Sequence, residues 1–337
     1  MPLYLSEQEV ERLLTMEACI EAVEEGLRQW AAGTASNRPR ARARVRGGVL
    51  HVLPAASATW GRMAVKSYAS TRGGTRFVVL LYDIESSDLL AIIEADRLGQ
   101  IRTGAASGVA TRHLARRDAR VLAVLGTGWQ ARGQVAAIAA VRALTEIRAF
   151  GRDPGRLTVF CEEIASGTGV RVVPSKSAAE AVRGADIVTT ATNSATPVFD
   201  GSWLAEGTHI NAVGSNRIDR REIDPVTVRR ADLVVVDSIE QARIEAGDLV
   251  DDPADAARRF EDDRPGGYSR ARPETPPLER AVELAGIVSG EHPGRGSRDD
   301  ITLFESLGIG LEDLAAASLV YDRAVEAGAG TSIPPGA

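Results

Sequence analysis

VLAVLGTGWQARGQ, residues Val121 to Gln134, sets five apolar residues before Gly-Thr-Gly-Trp-Gln-Ala and then turns helical in texture. Gly-x-Gly-x-x-Ala alone is weak, because Gly and Ala are common here. Its surroundings strengthen it: a strand-like run precedes Gly126, Gln130 opens a helical stretch, and a second strand, EIRAF, ends about 25 residues after Gly126. The pattern predicts a bound dinucleotide. Gly126 permits the tight turn, Gly128 lets backbone N–H groups approach a pyrophosphate, and Ala131 lets the helix pack close to the strand. Trp129 and Gln130 stand at the helix entrance, where free N–H groups and the helix dipole favour phosphates.

Downstream, strand-like and helical runs alternate: EIRAF, VRVVPS, SAAEAVRGA, DIVTTA, THINAVG and DLVVVD. This rhythm predicts parallel strands with crossover helices, an α/β Rossmann-type doubly wound sheet over residues 119–299. The stretch from Asp251 to Arg298, rich in Pro, Gly, Asp and Arg, reads as a long connection, and GTSIPPGA as a loose tail. Upstream, Ser6 with Glu9 forms a capping box, and Thr15 caps a helix to about Ala32. GGVLHVLPA, RMAVKSYAS and TRFVVLLYDIESSDLLAII then read as β-strands, followed by a helix from Glu94 to Leu114, so residues 1–118 form a second, α+β unit.

The 337 residues carry a formal charge of −6, which argues against a nucleic-acid partner needing a broad basic surface. Two cysteines, Cys19 and Cys161, have neither disulfide-framework nor metal spacing; no metal is expected, and a cytoplasmic location fits. The acidic N-terminus and the lack of a long apolar run predict neither export nor a membrane span.

After EIRAF the chain reads GRDPGR, so Gly151 holds the position where an NAD site places its acid, and Arg152 follows. A guanidinium there suits a 2′-phosphate, favouring NADP(H); Asp153, one step on, keeps NAD(H) possible. In the first unit, Arg38, Arg40, Arg42, Arg44 and Arg46 alternate with other residues and would share one face of a strand. Lys66 interrupts the apolar strand AVKSY and needs a partner or a purpose there. Arg102 sits among small residues in GQIRTGAASG, and a pocket of Arg and Lys fits a substrate carboxylate.

Taken in order, LHVLPA with AVKSY, IRTGAASGVAT, VLGTGWQA, ATNSATPVF, INAVGSN with RREID, VVVDSIEQA, and DITLFESLG with EDLAAA resemble the ornithine cyclodeaminase/μ-crystallin family over nearly the whole chain. The resemblance implies a substrate and dimerisation domain from residues 1–118 with 300–337, around the inserted Rossmann domain, and a homodimer. It implies that Lys66 and Arg102, with Arg40 the best match for a second arginine, bind a substrate carboxylate. It places Thr103 at the cofactor site, Thr192, Asn193 and Ser194 on a loop touching the dinucleotide, and Val213 to Asn216 near the nicotinamide.

Two departures shape the expected chemistry. Ornithine cyclodeaminases carry an acid where this chain has His51 and an aspartate where it has Asn216. The expected activity is therefore NAD(P)H-dependent reduction of a 2-imino acid or cyclic ketimine, with a small carboxylate-bearing imino or amino acid as partner. Lys66, His51 or a water manages the proton, and Asn216 faces the substrate. The alternatives are ornithine cyclodeamination to proline and ammonia, and a non-catalytic, crystallin-like NADPH-binding protein.

Overall fold

The computed structural model describes residues 1–250 and 276–334. Most of the connection expected after Asp251 lies outside the described residues. Two sheets, each eight-stranded among the described residues, organise the chain.

The first begins with β1 (Leu3–Leu5), α1 (Glu7–Leu13) and α2 (Met16–Ala31). Ser6 and Glu9 close the expected capping box, and Thr15 caps α2. β2 (Ala35–Asn37), β3 (Ala41–Val45), β4 (Gly48–Ser57), β5 (Arg62–Thr71), β6 (Gly74–Asp83) and β7 (Leu89–Glu94) follow, then the long α3 (Asp96–Leu114). β4 to β7 form an antiparallel meander, and β1 pairs parallel to β7. Alternation along each strand aligns Leu53, Lys66, Val79, Ile93 and Leu5 in one buried row, so register carries a lysine into an otherwise apolar layer.

The second sheet contains β8 (Val121–Leu125), α4 (Trp129–Val141), β9 (Glu146–Phe150), α5 (Pro154–Thr168), β10 (Arg171–Pro174), α6 (Ala178–Val182), β11 (Ile187–Thr190) and β12 (His209–Ala212). It continues with α7 (Pro225–Arg230), β13 (Leu233–Val236), α8 (Ile239–Glu245), β14 (Val282–Glu283), α9 (Leu284–Ser289) and β15 (Thr302–Glu305). The strand order is β10-β9-β8-β11-β12-β15-β13-β14, all parallel. Order reverses between β8 and β11, the point where open α/β sheets bind ligands. Leu122 and Val124 pack into one core while Ala123 and Leu125 pack into another, which is why β8 reads as an unbroken apolar run.

Two expectations need correction. The sequence from DDITLFESLG onwards reads as one closing helix, but TLFE is not part of it: β15 lies between β12 and β13, and the helix α10 (Gly310–Ala327) starts only after Gly308-Ile309. The chain thus leaves the second sheet after Glu305, later than residue 300. Nor is the tail wholly loose, since β16 (Thr331–Ser332) pairs antiparallel with Leu3 and Tyr4.

α3 touches both units. It packs on α2 and α10 on one side and on α4 on the other. A Cβ at Gly104 would lie 2.5 Å from the Gly133 carbonyl oxygen, so these helices meet backbone to backbone. Gly104→Ala is expected to destabilise the protein by about 1–3 kcal/mol through overpacking, whereas Gly167→Ala, with open space around it, stabilises α5 by roughly 0.5–1 kcal/mol. Urea unfolding checks the pair. No helix among the described residues is long and apolar enough to cross a membrane.

Candidate active site

Lys66 points inward from β5, and its Nζ lies 3.0 Å from Asp313 Oδ1. Arg102 approaches from α3: its Nη1 lies 2.7 Å from Glu312 Oε2 and its Nε 2.8 Å from Asp313 Oδ1. Asp313 thereby joins the two cations. Just before β3, Arg40 donates from Nη2 to the carbonyls of Leu307 (2.7 Å) and Gly308 (3.1 Å), with Nη1 3.3 Å from Glu245 Oε1. Arg42 also pairs with Glu245 and donates to the Asn216 carbonyl at 3.3 Å. Of the five alternating arginines, only Arg42 and Arg44 lie within β3, and only Arg40 is fully buried.

Burial, reinforced by Arg102, lowers the Lys66 pKa to about 8 although Asp313 opposes the shift. Burial raises the Glu312 carboxyl against the pull of Arg102, so Glu312 keeps its proton to higher pH than an ordinary carboxylate. The cation group therefore retains positive charge for an incoming anion.

Arg40, Lys66, Arg102 and Thr103 line a cavity of about 300 Å³. Trp129 and Gln130 of the glycine loop line it too, as do Val213 and Asn216 beyond β12. The expected clamp and the expected cofactor loop thus share one space. A more open hollow of about 310 Å³, between Trp30 and Glu283, contains none of these groups.

His51 stands differently. Register aligns Arg42, His51, Tyr68 and Phe77 in the row next to Lys66, and the imidazole stacks on Tyr68 with centroids 4.2 Å apart and planes 5° apart. Tyr68 and Phe77 line the cavity; His51 is not among its lining residues. Burial, then Arg40, Arg42 and Arg44, lower its pKa to about 4, so the ring is neutral at pH 7.

The glycine loop has the form a diphosphate needs. Gly126 has φ +116°, and a methyl there would strike the Ala191 carbonyl. Gly128 is the N-cap of α4, with no side-chain cap bond and open space where a Cβ would project. Nearby, Gln130 Oε1 is buried without a hydrogen-bond partner. Ala131, in the first turn of α4, is fully buried against the sheet, and Thr103 donates to the Gly99 carbonyl at 2.7 Å. Thr192 lies beside Gly126; Asn193 is exposed, and Ser194 N–H donates to Thr192 Oγ1 at 3.1 Å. At the end of β9, a Cβ on Gly151 would come within 2.8 Å of the Thr127 side-chain methyl, so the glycine stands close against the loop and supplies no carboxylate. Arg152 is exposed, while Asp153 caps α5 by accepting from Arg156 N–H at 2.9 Å.

Sequence reasoning missed the counter-charges Glu245, Glu312 and Asp313. The signal was present: buried cations demand buried anions. Glu312 and Asp313 fall in the first turn of α10, however, where acids are ordinary helix-dipole partners.

The ornithine cyclodeaminase/mu-crystallin family model matches residues 2–328. The chain belongs to this family. As a member it is 38% identical over 256 residues to the Delta(1)-pyrroline-2-carboxylate reductase of Bacillus cereus, covering 76% of this chain and 73% of that protein. The Thermococcus litoralis Delta(1)-pyrroline-2-carboxylate reductase, solved in complex with NADH and L-proline, superposes with a TM-score of 0.87 at 33% identity, over 98% of this chain and 100% of the other. An archaeal alanine dehydrogenase dimer with bound NAD gives a TM-score of 0.85 at 28% identity, over 99% of both chains. These similarities support the α/β fold with a Rossmann-type parallel sheet and membership among nicotinamide-dependent enzymes of amino-acid metabolism.

Proposed function

We propose that this protein is an NAD(P)H-dependent oxidoreductase that reduces the C=N bond of a 2-imino acid or cyclic ketimine. The reading rests above all on the cavity that brings Lys66, Arg102 and Arg40 to the mouth of the glycine loop. Its likeness to two pyrroline-2-carboxylate reductases supports the same chemistry.

Arg102 and Lys66, held by Glu312 and Asp313, bind the substrate carboxylate, with Arg40 beside them. Fixing that end orients the imine carbon, and orientation converts binding energy into rate. When bound, the reduced nicotinamide supplies the hydride. Lys66 manages the proton: with a pKa of about 8 it is cationic at neutral pH yet close enough to neutrality to give the proton up. Neutral His51 supports Tyr68 rather than donating a proton. Asn216 offers an amide where cyclodeaminases have a carboxylate, which removes the base that ornithine chemistry would use. Following NADPH and NADH oxidation across cyclic imino acids and mixtures of 2-oxo acids with amines tests the reading. Cofactor oxidation with at least one of them is expected, and none with any would refute it.

NADP(H) is the proposed cofactor, because Gly151 supplies no acid, Asp153 is engaged in its cap and the exposed Arg152 suits a 2′-phosphate. The NADH and NAD bound by the two solved relatives favour NAD(H) as the second reading. Arg152→Ala is expected to raise the NADPH KM about 10- to 100-fold, the loss of one charge-assisted pair, with little effect on NADH. A wild-type preference for NADH, unchanged by the substitution, would decide for NAD(H).

The working form is proposed to be a homodimer. The sheet face opposite the helices carries the apolar rows Pro54–Val65–Leu80–Ile92 and Ala56–Met63–Tyr82, with Met63 37% exposed. A second copy covering it would bury this patch. Leu80→Glu should then yield a monomer in sedimentation; a wild-type monomer would end the proposal.

A further inference from the structure

A second group of buried acids lies at the carboxyl ends of β11 and β12, where burial raises the Glu222 carboxyl above its ordinary range. Glu222 is fully buried. Its Oε1 accepts from Thr192 N–H at 2.5 Å, while Oε2 accepts from Gly214 N–H at 2.5 Å and Thr190 Oγ1 at 2.8 Å. One carboxylate therefore ties together the loops that leave two adjacent parallel strands.

We propose that Glu222 is a positioning residue for the nicotinamide half of the dinucleotide, setting the spacing of the two loops that receive it. The proposal rests on the dinucleotide site described above. Val213 and Asn216, on the second loop, line the same cavity as Lys66, whereas Gly151 and Arg152 lie at the end of β9, on the other side of β8. The loops Glu222 joins are thus at the reacting end of the cleft.

Three further features make the carboxylate a fixed post. Its own backbone N–H and that of Ile223 donate to Asp248 Oδ1 at 2.8 and 3.1 Å, and its carbonyl accepts from Val198 N–H at 2.8 Å. Gly214 is where the loops come closest: a Cβ there would collide with the Thr192 carbonyl and would lie 2.5 Å from Glu222 Cδ. The far end of the second loop is tethered separately, by Arg42 on the Asn216 carbonyl. A carboxyl acceptor on two backbone N–H groups fixes the spacing of both loops.

The test compares two ligands on the full-length protein: NADPH, and 2′-phospho-ADP-ribose, which has the phosphates and adenosine but no nicotinamide. In Glu222→Gln the amide NH₂ must face a backbone donor. This variant is expected to weaken NADPH at least about tenfold while 2′-phospho-ADP-ribose stays within about twofold. The NADPH KM should rise with a fall in kcat. Gly214→Ala, which forces the loops and the Glu222 carboxylate apart while keeping its acceptor oxygens, should produce the same split and serves if the first variant fails to fold. Equal weakening of both ligands would make Glu222 merely structural and overturn the proposal, as would no change in either. If the unmodified protein prefers NADH, the same comparison is made with NADH and ADP-ribose; failure to bind either pair would instead refute the dinucleotide reading, and this inference with it.

Discussion

Lys66→Met is expected to lower kcat for imine reduction by about 10²- to 10⁴-fold, the usual contribution of a positioned acid, while leaving dinucleotide affinity nearly unchanged. Methionine preserves apolar bulk in the buried row, and Asp313 keeps Arg102 as its partner at 2.8 Å, so the fold should survive. The pH profile gives the sharper readout. Reduction needs the Lys66 ammonium, whose pKa is lowered to about 8. The reductive rate should therefore be level below that pH and fall about tenfold per pH unit above it. Oxidation of the amino-acid product needs the free amine and should rise over the same range. Stopped-flow measurements in both directions check the sign, and a reductive rate indifferent to pH between about 7 and 9 would remove Lys66 from the proton step.

Arg102→Ala should cost about 3–5 kcal/mol of stability, because it takes the cation from two buried acids. Glu312 would lose its cation at 2.7 Å, and Asp313 would keep only Lys66. Loss of the guanidinium also removes one arm of the carboxylate clamp, so activity should be lost in whatever folded protein remains. Arg102→Lys keeps a charge but not the fork that reaches both acids, and should fall between. Urea unfolding followed by fluorescence measures both variants. A loss below about 1 kcal/mol would mean that this group is hydrated rather than buried.

Much of this arrangement was legible in the sequence because it is local. The glycine loop announced itself by glycines, a preceding apolar run and a following helix, all within fourteen residues. Lys66 and Arg102 stood out because a cation amid apolar or small residues is costly unless it has a use. What stayed hidden depends on contacts between distant residues. TLFE is a central strand only because β12 and β13 flank it, and four residues followed by Ser-Leu-Gly-Ile-Gly give no period by which to recognise it. Register among the alternating arginines is set by Glu245, about two hundred residues further on in α8. His51 reads as an acid–base candidate from its residue type; burial and three arginine neighbours, none of them adjacent in sequence, lower its pKa instead. Glu222, within RREID, looks like one more surface acid until two loops fold over it.

The central claim is that the cavity performs net reduction of a C=N bond rather than deamination with internal cofactor recycling. The most direct measurement is the stoichiometry of cofactor and product, with a cyclic imino acid such as pyrroline-2-carboxylate in one reaction and ornithine alone in another. One NADPH or NADH consumed for each amino acid formed, and no proline from ornithine, is the predicted result. Proline and ammonia from ornithine with no net change in cofactor would contradict it.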